Sequence, residues 1–214
     1  KLNWVYNWCS TPPTNLSSTL LYTPMLWSPA QDHTAQWDDN VYALGNGTRL
    51  PTHLPPLLSF NEPDCPSQAN LNETVAAAAW RVYFDKFRDA ATLVSPAVTN
   101  GPAPGGLQWL QTFLGVCTGC TIHAIAIHWY GDADNVDGFM DYIQRAVVIG
   151  AGRKVWITEF HAQGSQSQVR AFLGTVLPWL DALDGVEKYA YFWEDGEWKD
   201  GKGGLGEAAN VYAS

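Results

Sequence analysis

The chain has 214 residues, of which 46% are hydrophobic and 15% are charged, and this composition excludes an intrinsically disordered protein. Its 12 lysine and arginine residues against 21 aspartate and glutamate residues give a net charge of −9, which argues against binding to nucleic acid or to an anionic membrane. No stretch approaches the roughly 18 apolar residues that a membrane-spanning helix needs. The length suits one domain, and the 11 tryptophans are a surplus whose uses include flat surfaces that stack against sugars.

Strand-like segments alternate with helical segments along the whole chain. The predicted strands are Trp4–Trp8, Leu21–Trp27, Leu57–Asn61, Leu93–Val98, Ile122–Tyr130, Val155–Phe160 and Tyr189–Trp193. Several are almost continuously apolar, as is typical of strands buried on both faces of a parallel sheet. The alternation predicts a single α/β domain over residues 1–214. An open doubly wound sheet and a closed (β/α)8 barrel both fit this pattern.

Three helices are predicted from apolar side chains at three- and four-residue spacing. They begin near Asn72, Asp137 and Ser167. Asn70 and Glu73 have the spacing of a capping box for the first helix, which is expected to extend to about Ala91. Pro178 is expected to kink the third helix or to start a new turn. Residues 28–56 contain glycine and proline turn signals and are predicted to form a long loop with one short helix.

The cysteines and the glycosylation motifs predict a secreted eukaryotic protein. Asn-X-Ser/Thr motifs begin at Asn15, Asn46 and Asn72. Such motifs are weak singly, but three of them with an even number of cysteines indicate an oxidising compartment. We predict a local disulfide between Cys117 and Cys120, and a second between Cys9 and Cys65, which both follow strand ends. The absence of a visible signal peptide suggests a mature or trimmed form.

The sequence contains only partial matches to known cofactor-binding and metal-binding motifs. Gly201–Gly206 matches the pattern Gly-X-Gly-X-X-Gly, but a dinucleotide site needs a strand before it and a full helix after it. The Cys-X-X-Cys motif has no second copy, and the chain has no His-Glu-X-X-His sequence. We therefore expect neither a metal nor a cofactor.

Polar and aromatic residues follow or end several predicted strands. Glu62 closes the third strand, and Glu159 lies at the end of the sixth. His128 and Tyr130 share one side of the fifth strand because side chains alternate along a strand. A carboxylate at an apolar strand end costs desolvation unless it has a partner or a task. Taken singly, each glutamate fits a surface or ion-paired residue equally well, but together they predict an active site at the C-terminal face of a barrel.

Six motifs in order resemble glycoside hydrolase family 128, a family of fungal and bacterial β-1,3-glucanases. The matching segments are Trp4–Trp8, Pro24–Trp27, Ser59–Asp64, Ser95–Val98, His128–Gly131 and Trp156–Phe160. The resemblance extends from residue 4 to about residue 193, and its specificity comes from the Asn-Glu-Pro and Thr-Glu-Phe motifs together. It implies a compact (β/α)8 TIM barrel of the clan A type.

The resemblance also implies a role for each glutamate. Glu62 corresponds to the general acid/base and Glu159 to the nucleophile of a retaining enzyme that forms a covalent glycosyl-enzyme intermediate. Such enzymes hold the two carboxyl groups about 5–5.5 Å apart. Tyr130 is expected to donate a hydrogen bond to Glu159, and Asn61 to contact the sugar 2-hydroxyl. The expected substrate-binding residues are Asn61, Trp27, His128, Tyr130, Tyr191 and Trp193.

This chain departs from the family pattern at its start. The glutamates close predicted strands three and six, whereas clan A enzymes use strands four and seven, so the first strand is missing or substituted. Residues 209–213 could fill that position from the other end of the chain. Where relatives tend to have tryptophan in the last strand, this chain has Tyr191.

The sequence therefore predicts a secreted, monomeric β-1,3-glucan hydrolase that is expected to cleave within the glucan chain, as an endo-1,3-β-glucanase. Two alternatives stay open. One is a β-1,3-glucan-binding relative with little or no hydrolytic activity. The other is a retaining hydrolase for another β-glycan, such as mannan or cellulose.

Overall fold

The computed structural model describes residues 3–45, 53–192 and 207–213. Its strands are β1 (Trp4–Val5), β2 (Leu21–Tyr22), β3 (Leu57–Leu58), β4 (Leu93–Val98), β5 (Ala124–Asp132), β6 (Lys154–Gln163) and β7 (Val186–Tyr191). Its helices are α1 (Gln31–Thr34), α2 (Trp37–Leu44), α3 (Glu73–Tyr83), α4 (Gly106–Val116), α5 (Val136–Gly150), α6 (Gln166–Ala182) and α7 (Glu207–Ala213). Each strand overlaps one predicted strand, and the fold is α/β as expected.

The chain divides within β5 into two compact units, an N-terminal unit (Asn3–Ala126) and a C-terminal unit that begins at Ile127. In the N-terminal unit, β1 pairs with β2 and β3 pairs with β4, both in parallel. A parallel bridge between Met25 and Leu58 joins the segment after β2 to β3. The described residues form seven strands, so they do not confirm a closed eight-stranded barrel.

The core of the N-terminal unit forms where helices cover the buried strands. All six residues of β4 are buried, as expected for a strand that is covered on both faces. Trp80 of α3 is fully buried and stacks on Phe84, with ring centroids 4.7 Å apart. Trp109 of α4 stacks on Phe113 at 5.5 Å. These helical tryptophans therefore belong to the core and not to a sugar-binding surface.

Helix α3 begins where the sequence predicts, but its capping residue and its end differ from the prediction. Its N-cap is Asn72, whose side chain accepts a hydrogen bond from the Val75 N–H at 2.9 Å. The predicted cap, Asn70, has a φ of 47° and lies in the loop before the helix. The helix ends at Tyr83 and a 3₁₀ turn over Asp85–Phe87 follows. This turn keeps the ring of Phe87 buried, which explains why the apolar pattern continues beyond the helix.

Residues 28–56 contain α1 and α2 where the sequence predicts a long loop with one short helix. Helix α2 packs inward because Trp37 and Val41 are fully buried. The Trp37 indole N–H donates to the Tyr83 carbonyl at 3.1 Å, which links α2 to the end of α3. Residues 46–52 of the predicted loop lie outside the described residues.

In the C-terminal unit, β6 pairs in parallel with β7. The rings of Trp129, Phe160 and Phe172 lie 5.1–5.6 Å from the ring of Phe139 on α5. Helix α6 starts with a capping box between Ser165 and Gln168, slightly earlier than predicted. It continues through Pro178 to Ala182, so no new turn begins at that proline.

The segment proposed to replace the missing strand, residues 209–213, belongs to helix α7, so this prediction is wrong. The sequence Glu-Ala-Ala-Asn-Val-Tyr-Ala is rich in alanine, the best helix former. Helix α7 packs against α6. The Tyr212 hydroxyl accepts from the Tyr191 N–H at 3.1 Å and lies 3.5 Å from the Tyr189 carbonyl. A tyrosine side chain thus binds backbone groups of β7 that a neighbouring strand could have paired.

One of the two predicted disulfides is present. Cys117 and Cys120 are bonded, with a Cα–Cα distance of 5.4 Å. Cys9 and Cys65 are free thiols, so the predicted disulfide between them is not formed. Cys9 is exposed and Cys65 is partly exposed. The Cys65 sulfur lies 3.2 Å from the Ser67 hydroxyl. Positions that follow neighbouring strand ends do not by themselves give the Cβ alignment that a disulfide needs.

No helix within the described ranges is long and apolar enough to cross a membrane.

Candidate active site

Glu62 follows β3 on a backbone that is held from both sides. The Asn61 N–H donates to the Trp27 carbonyl at 2.9 Å, and the Glu62 N–H donates to the Ala97 carbonyl at 2.8 Å. Glu62 itself has a φ of 43°, a left-handed conformation that costs a non-glycine residue about 1–3 kcal/mol. Such strain persists only where the surroundings fix it, and it is common at functional sites.

Asn61 is buried, with 4% of its surface exposed. Its side-chain nitrogen donates to the Gln68 amide oxygen at 3.2 Å. Its own amide oxygen is buried and has no hydrogen-bond partner in the part of the chain that the structure describes. A buried acceptor in this state costs about 1–3 kcal/mol. The structure therefore gives Asn61 an acceptor that a hydroxyl group could satisfy.

Asp64 is a site residue that sequence reasoning missed. Its carboxylate accepts hydrogen bonds from the Thr99 N–H at 3.1 Å, the Thr99 hydroxyl at 2.5 Å and the Gly106 N–H at 2.7 Å. Gly106 is the first residue of α4, whose N-cap Gly105 has no side chain. Asp64 therefore supplies the helix cap from a distant loop, and it ties the turn after Glu62 to the segment after β4.

Gly106 is required by this arrangement. It has a φ of 55°, and a Cβ atom at this position would lie 2.4 Å from the Gly101 carbonyl oxygen. The sequence shows that Asp64 directly follows the Asn-Glu-Pro motif. Sequence spacing could not identify its partner, because Gly106 comes 42 residues later.

Trp27 is partly exposed and lies next to Asn61 through the backbone hydrogen bond described above. Its ring centroid is 5.1 Å from that of His33, with an interplanar angle of 42°. The His33 Nδ1 atom in turn lies 2.8 Å from the Ser28 hydroxyl. A supported, partly exposed indole fits the predicted role of Trp27 in sugar binding.

The C-terminal unit holds Glu159 on β6, where 6% of its surface is exposed. The Tyr130 hydroxyl donates to the Glu159 Oε2 atom at 2.5 Å, which confirms the predicted hydrogen bond. The His128 Nδ1 atom lies 3.5 Å from the same oxygen. Hydrogen bonds to a carboxylate stabilise its ionised form. The surroundings therefore suit a carboxylate that reacts as an anion.

His128 supports Glu159 from within the protein. Its side chain is completely buried, and its Nε2 atom lies 3.0 Å from the Thr158 hydroxyl. The sequence correctly places His128 and Tyr130 on one side of β5. The structure adds that Tyr130, at 37% exposed, is the member of this pair that reaches the surface, whereas His128 is fully buried.

His161 is a second residue that sequence reasoning missed. It is buried, its Nδ1–H donates to the Phe192 carbonyl at 3.0 Å, and its ring stacks near Tyr130 with centroids 6.2 Å apart. The Phe192 ring contacts Tyr130 edge-on at 5.8 Å. Alternation along β6 places Glu159 and His161 on the same side, and this signal could have identified His161.

Two of the expected substrate-binding residues, Tyr191 and Trp193, lie in or just after β7. Tyr191 is only 5% exposed. Its ring packs against Phe160 at 5.1 Å, and its hydroxyl accepts from the Ala162 N–H at 3.4 Å. The structure thus places Tyr191 in the core, where it does not present a flat face to a sugar. Trp193 lies outside the described residues.

Residues 1–212 match the family described as glycosyl hydrolase catalytic core. A curdlan-specific exo-β-1,3-glucanase of family 128 from Blastomyces gilchristii, solved with glucose, is 40% identical with a TM-score of 0.88, over 98% of this chain and 88% of that one. A family 128 endo-β-1,3-glucanase from Amycolatopsis mediterranei, solved with laminaritriose, is 25% identical with a TM-score of 0.81, over 98% and 89% of the two chains.

Alkali-sensitive linkage protein 1 of Schizosaccharomyces pombe is 30% identical over the whole of this chain. The chain spans 40% of the length of that relative. The family match covers nearly the whole chain, and the solved structures agree with the resemblance predicted from the six motifs. The chain therefore belongs to the glycosyl hydrolase catalytic core family and is related to glycoside hydrolase family 128.

Proposed function

We propose that this protein hydrolyses β-1,3-glucan with retention of anomeric configuration. The observation that carries the proposal is the environment of Glu159, a buried carboxylate with a tyrosine hydroxyl at 2.5 Å and a histidine nitrogen at 3.5 Å from one oxygen. The 40% identical relative is described as a β-1,3-glucanase, and this description supports the choice of substrate. Both glutamates of the family motifs are present.

In the proposed reaction, the Glu159 carboxylate attacks the anomeric carbon of the bound sugar. The bond from that carbon to the glycosidic oxygen breaks, and the Glu62 carboxylic acid gives its proton to the departing oxygen. Glu62 then removes a proton from water, which attacks the same carbon and releases Glu159. Tyr130 holds Glu159 as an anion before attack and orients it through the oxygen that it binds.

Neighbouring residues would bind and orient the sugar. The buried amide oxygen of Asn61 would accept a hydrogen bond from the 2-hydroxyl, an interaction that strengthens in the transition state of retaining enzymes. Trp27 would stack against a sugar ring. Asp64 would act indirectly, because its hydrogen bonds to Thr99 and Gly106 fix the turn that follows Glu62.

The alternatives differ in what they predict for turnover. A glucan-binding relative would bind β-1,3-glucan without cleaving it, and a hydrolase of another β-glycan would cleave mannan or cellulose. The endo mode remains a prediction, since the 40% identical relative is described as exo-acting and the 25% identical relative as endo-acting. A ladder of oligosaccharides would indicate endo action, and one small product would indicate exo action.

The first prediction concerns substrate choice and the two glutamates. The purified protein should release reducing ends from laminarin and curdlan, and none from cellulose, mannan or xylan. Glu159→Gln should lower kcat by about 1,000-fold or more, because it removes the nucleophile. Glu62→Gln should lower kcat on laminarin more than on an aryl β-glucoside, because the aryl leaving group needs no protonation.

Glu187→Gln is the matched control, since Glu187 is exposed and bonds only the Trp156 indole N–H among the contacts described for it. It should keep wild-type activity. Near wild-type turnover by Glu159→Gln would contradict the nucleophile assignment. Cleavage of mannan or cellulose in place of β-1,3-glucan would contradict the proposed substrate.

A further inference from the structure

We infer that Trp8 is a sugar-stacking residue for a glucose unit of the β-1,3-glucan chain, an inference that rests on the proposed function. Trp8 follows β1 and is 39% exposed. It comes after the C-terminal end of its strand, as Trp27 comes after β2 and Glu62 after β3. In the N-terminal unit, where β1 and β2 pair in parallel, such positions lie at one edge of the strands.

The backbone of Trp8 is strained. Its φ is 56°, in the left-handed region that a bulky side chain rarely adopts. This conformation costs about 1–2 kcal/mol relative to the right-handed region. The indole keeps 39% of its surface exposed in this conformation. Backbone strain of this kind is common at functional sites, and here it holds a partly exposed aromatic side chain in place.

The loop that carries Trp8 is held in place by a buried tyrosine. The Tyr22 hydroxyl lies 2.7 Å from three acceptors, the Asn7 side-chain oxygen and the carbonyl oxygens of Cys9 and Thr11. Burial, with a smaller contribution from Cys9, raises the pKa of Tyr22 well above its ordinary value, so the hydroxyl keeps its proton. The Met25 N–H also donates to the Cys9 carbonyl at 2.9 Å. The residues on either side of Trp8 are therefore fixed.

The indole ring is also supported from its own side of the chain. The Tyr6 ring contacts Trp8 edge-on, with centroids 5.3 Å apart and an interplanar angle of 66°. Tyr6 in turn stacks near Trp4 at 5.9 Å. A preorganised aromatic ring loses little entropy when it binds a ligand. Its flat apolar face suits the C–H face of a pyranose ring, a neutral ligand that an acidic protein does not repel.

The test measures glucan affinity and stability separately. In the Glu159→Gln background, laminarihexaose binding is measured by titration calorimetry, and Tm by calorimetry without sugar. Trp8→Gly should weaken binding by about 10-fold, the effect of losing one aromatic contact of about 1.4 kcal/mol. Because glycine adopts a positive φ without strain, its Tm should stay within about 2 °C of the parent protein.

Two further variants complete the design. Trp8→Phe keeps an aromatic face and should lose less than about 3-fold in affinity. Leu21→Ala is the matched control, because Leu21 is a 43% exposed apolar residue at the N-terminal end of β2, whereas Trp8 follows the C-terminal end of β1. It should bind laminarihexaose as tightly as the parent protein.

Wild-type affinity in Trp8→Gly would overturn this inference while leaving the proposed function intact. A fall in Tm of more than about 5 °C in both Trp8 variants would show that the residue has a structural role, and would also overturn it. If the parent protein neither binds laminarihexaose nor cleaves any β-1,3-glucan, the inference and the proposed function are both wrong.

Discussion

Three residues form the environment of Glu159, and each makes a different contact. Tyr130 donates to its Oε2 atom, His128 approaches the same oxygen, and His161 supports the Tyr130 ring. Only Tyr130 of these three is substantially exposed. The shortest contact to the carboxylate thus comes from a partly exposed tyrosine, and the buried His161 packs against the ring of that tyrosine and restricts its position.

Removal of the Tyr130 hydroxyl tests this account at the scale of one atom. Tyr130→Phe should lower kcat/KM by about 10- to 100-fold, since a hydrogen bond to a charged group is worth about 1.5–3 kcal/mol. Its Tm should change little, because the ring and its contacts remain. Tyr189→Phe removes a hydroxyl that bonds Asp181 at 2.7 Å and should leave kcat/KM unchanged. Equal losses in the two variants would contradict a specific role for Tyr130.

At the scale of elements, the sequence predicts which segments form strands and about where three helices begin, but it is less accurate about which residue caps a helix and where the helix ends. Strands such as β4 are short apolar runs whose burial on both faces leaves a clear pattern. The cap of α3 depends on backbone conformation. Asn70 and Asn72 precede the same helix, and the positive φ of Asn70 removes it from the capping position. Sequence spacing alone could not separate these two residues.

This difference between the two asparagines can be measured. Asn72→Ala should lower the free energy of unfolding by about 1 kcal/mol, because it removes the oxygen that accepts the Val75 N–H. Asn72→Asp keeps a capping oxygen and should be close to neutral. Asn70→Gly should be neutral or stabilising, since glycine suits its positive φ. Urea unfolding of unglycosylated protein gives these values, and greater destabilisation by Asn70→Gly than by Asn72→Ala would contradict the assignment.

At the scale of the molecule, the six motifs were sufficient to identify the family, and they place Glu62 after β3. Glu159 lies within β6, which continues to Gln163, and not at the strand end that the sequence predicts. The motifs could not predict contacts that join distant segments. Asp64 accepts hydrogen bonds from Thr99 and Gly106. Residues 209–213, which were expected to form a strand, belong to helix α7. These features depend on tertiary packing, for which a local pattern carries no signal.

The central claim is that Glu159 forms a covalent bond to the sugar. A 2-deoxy-2-fluoro laminaribiosyl fluoride has a good leaving group and a slowed second step, so it should trap this intermediate. The tryptic peptide Val155–Arg170 contains Glu159 as its only carboxylate side chain, which allows direct assignment by mass spectrometry. We expect one fluorosugar on this peptide and none in Glu159→Gln. A label on another peptide, or a product released with inverted anomeric configuration, would contradict the account.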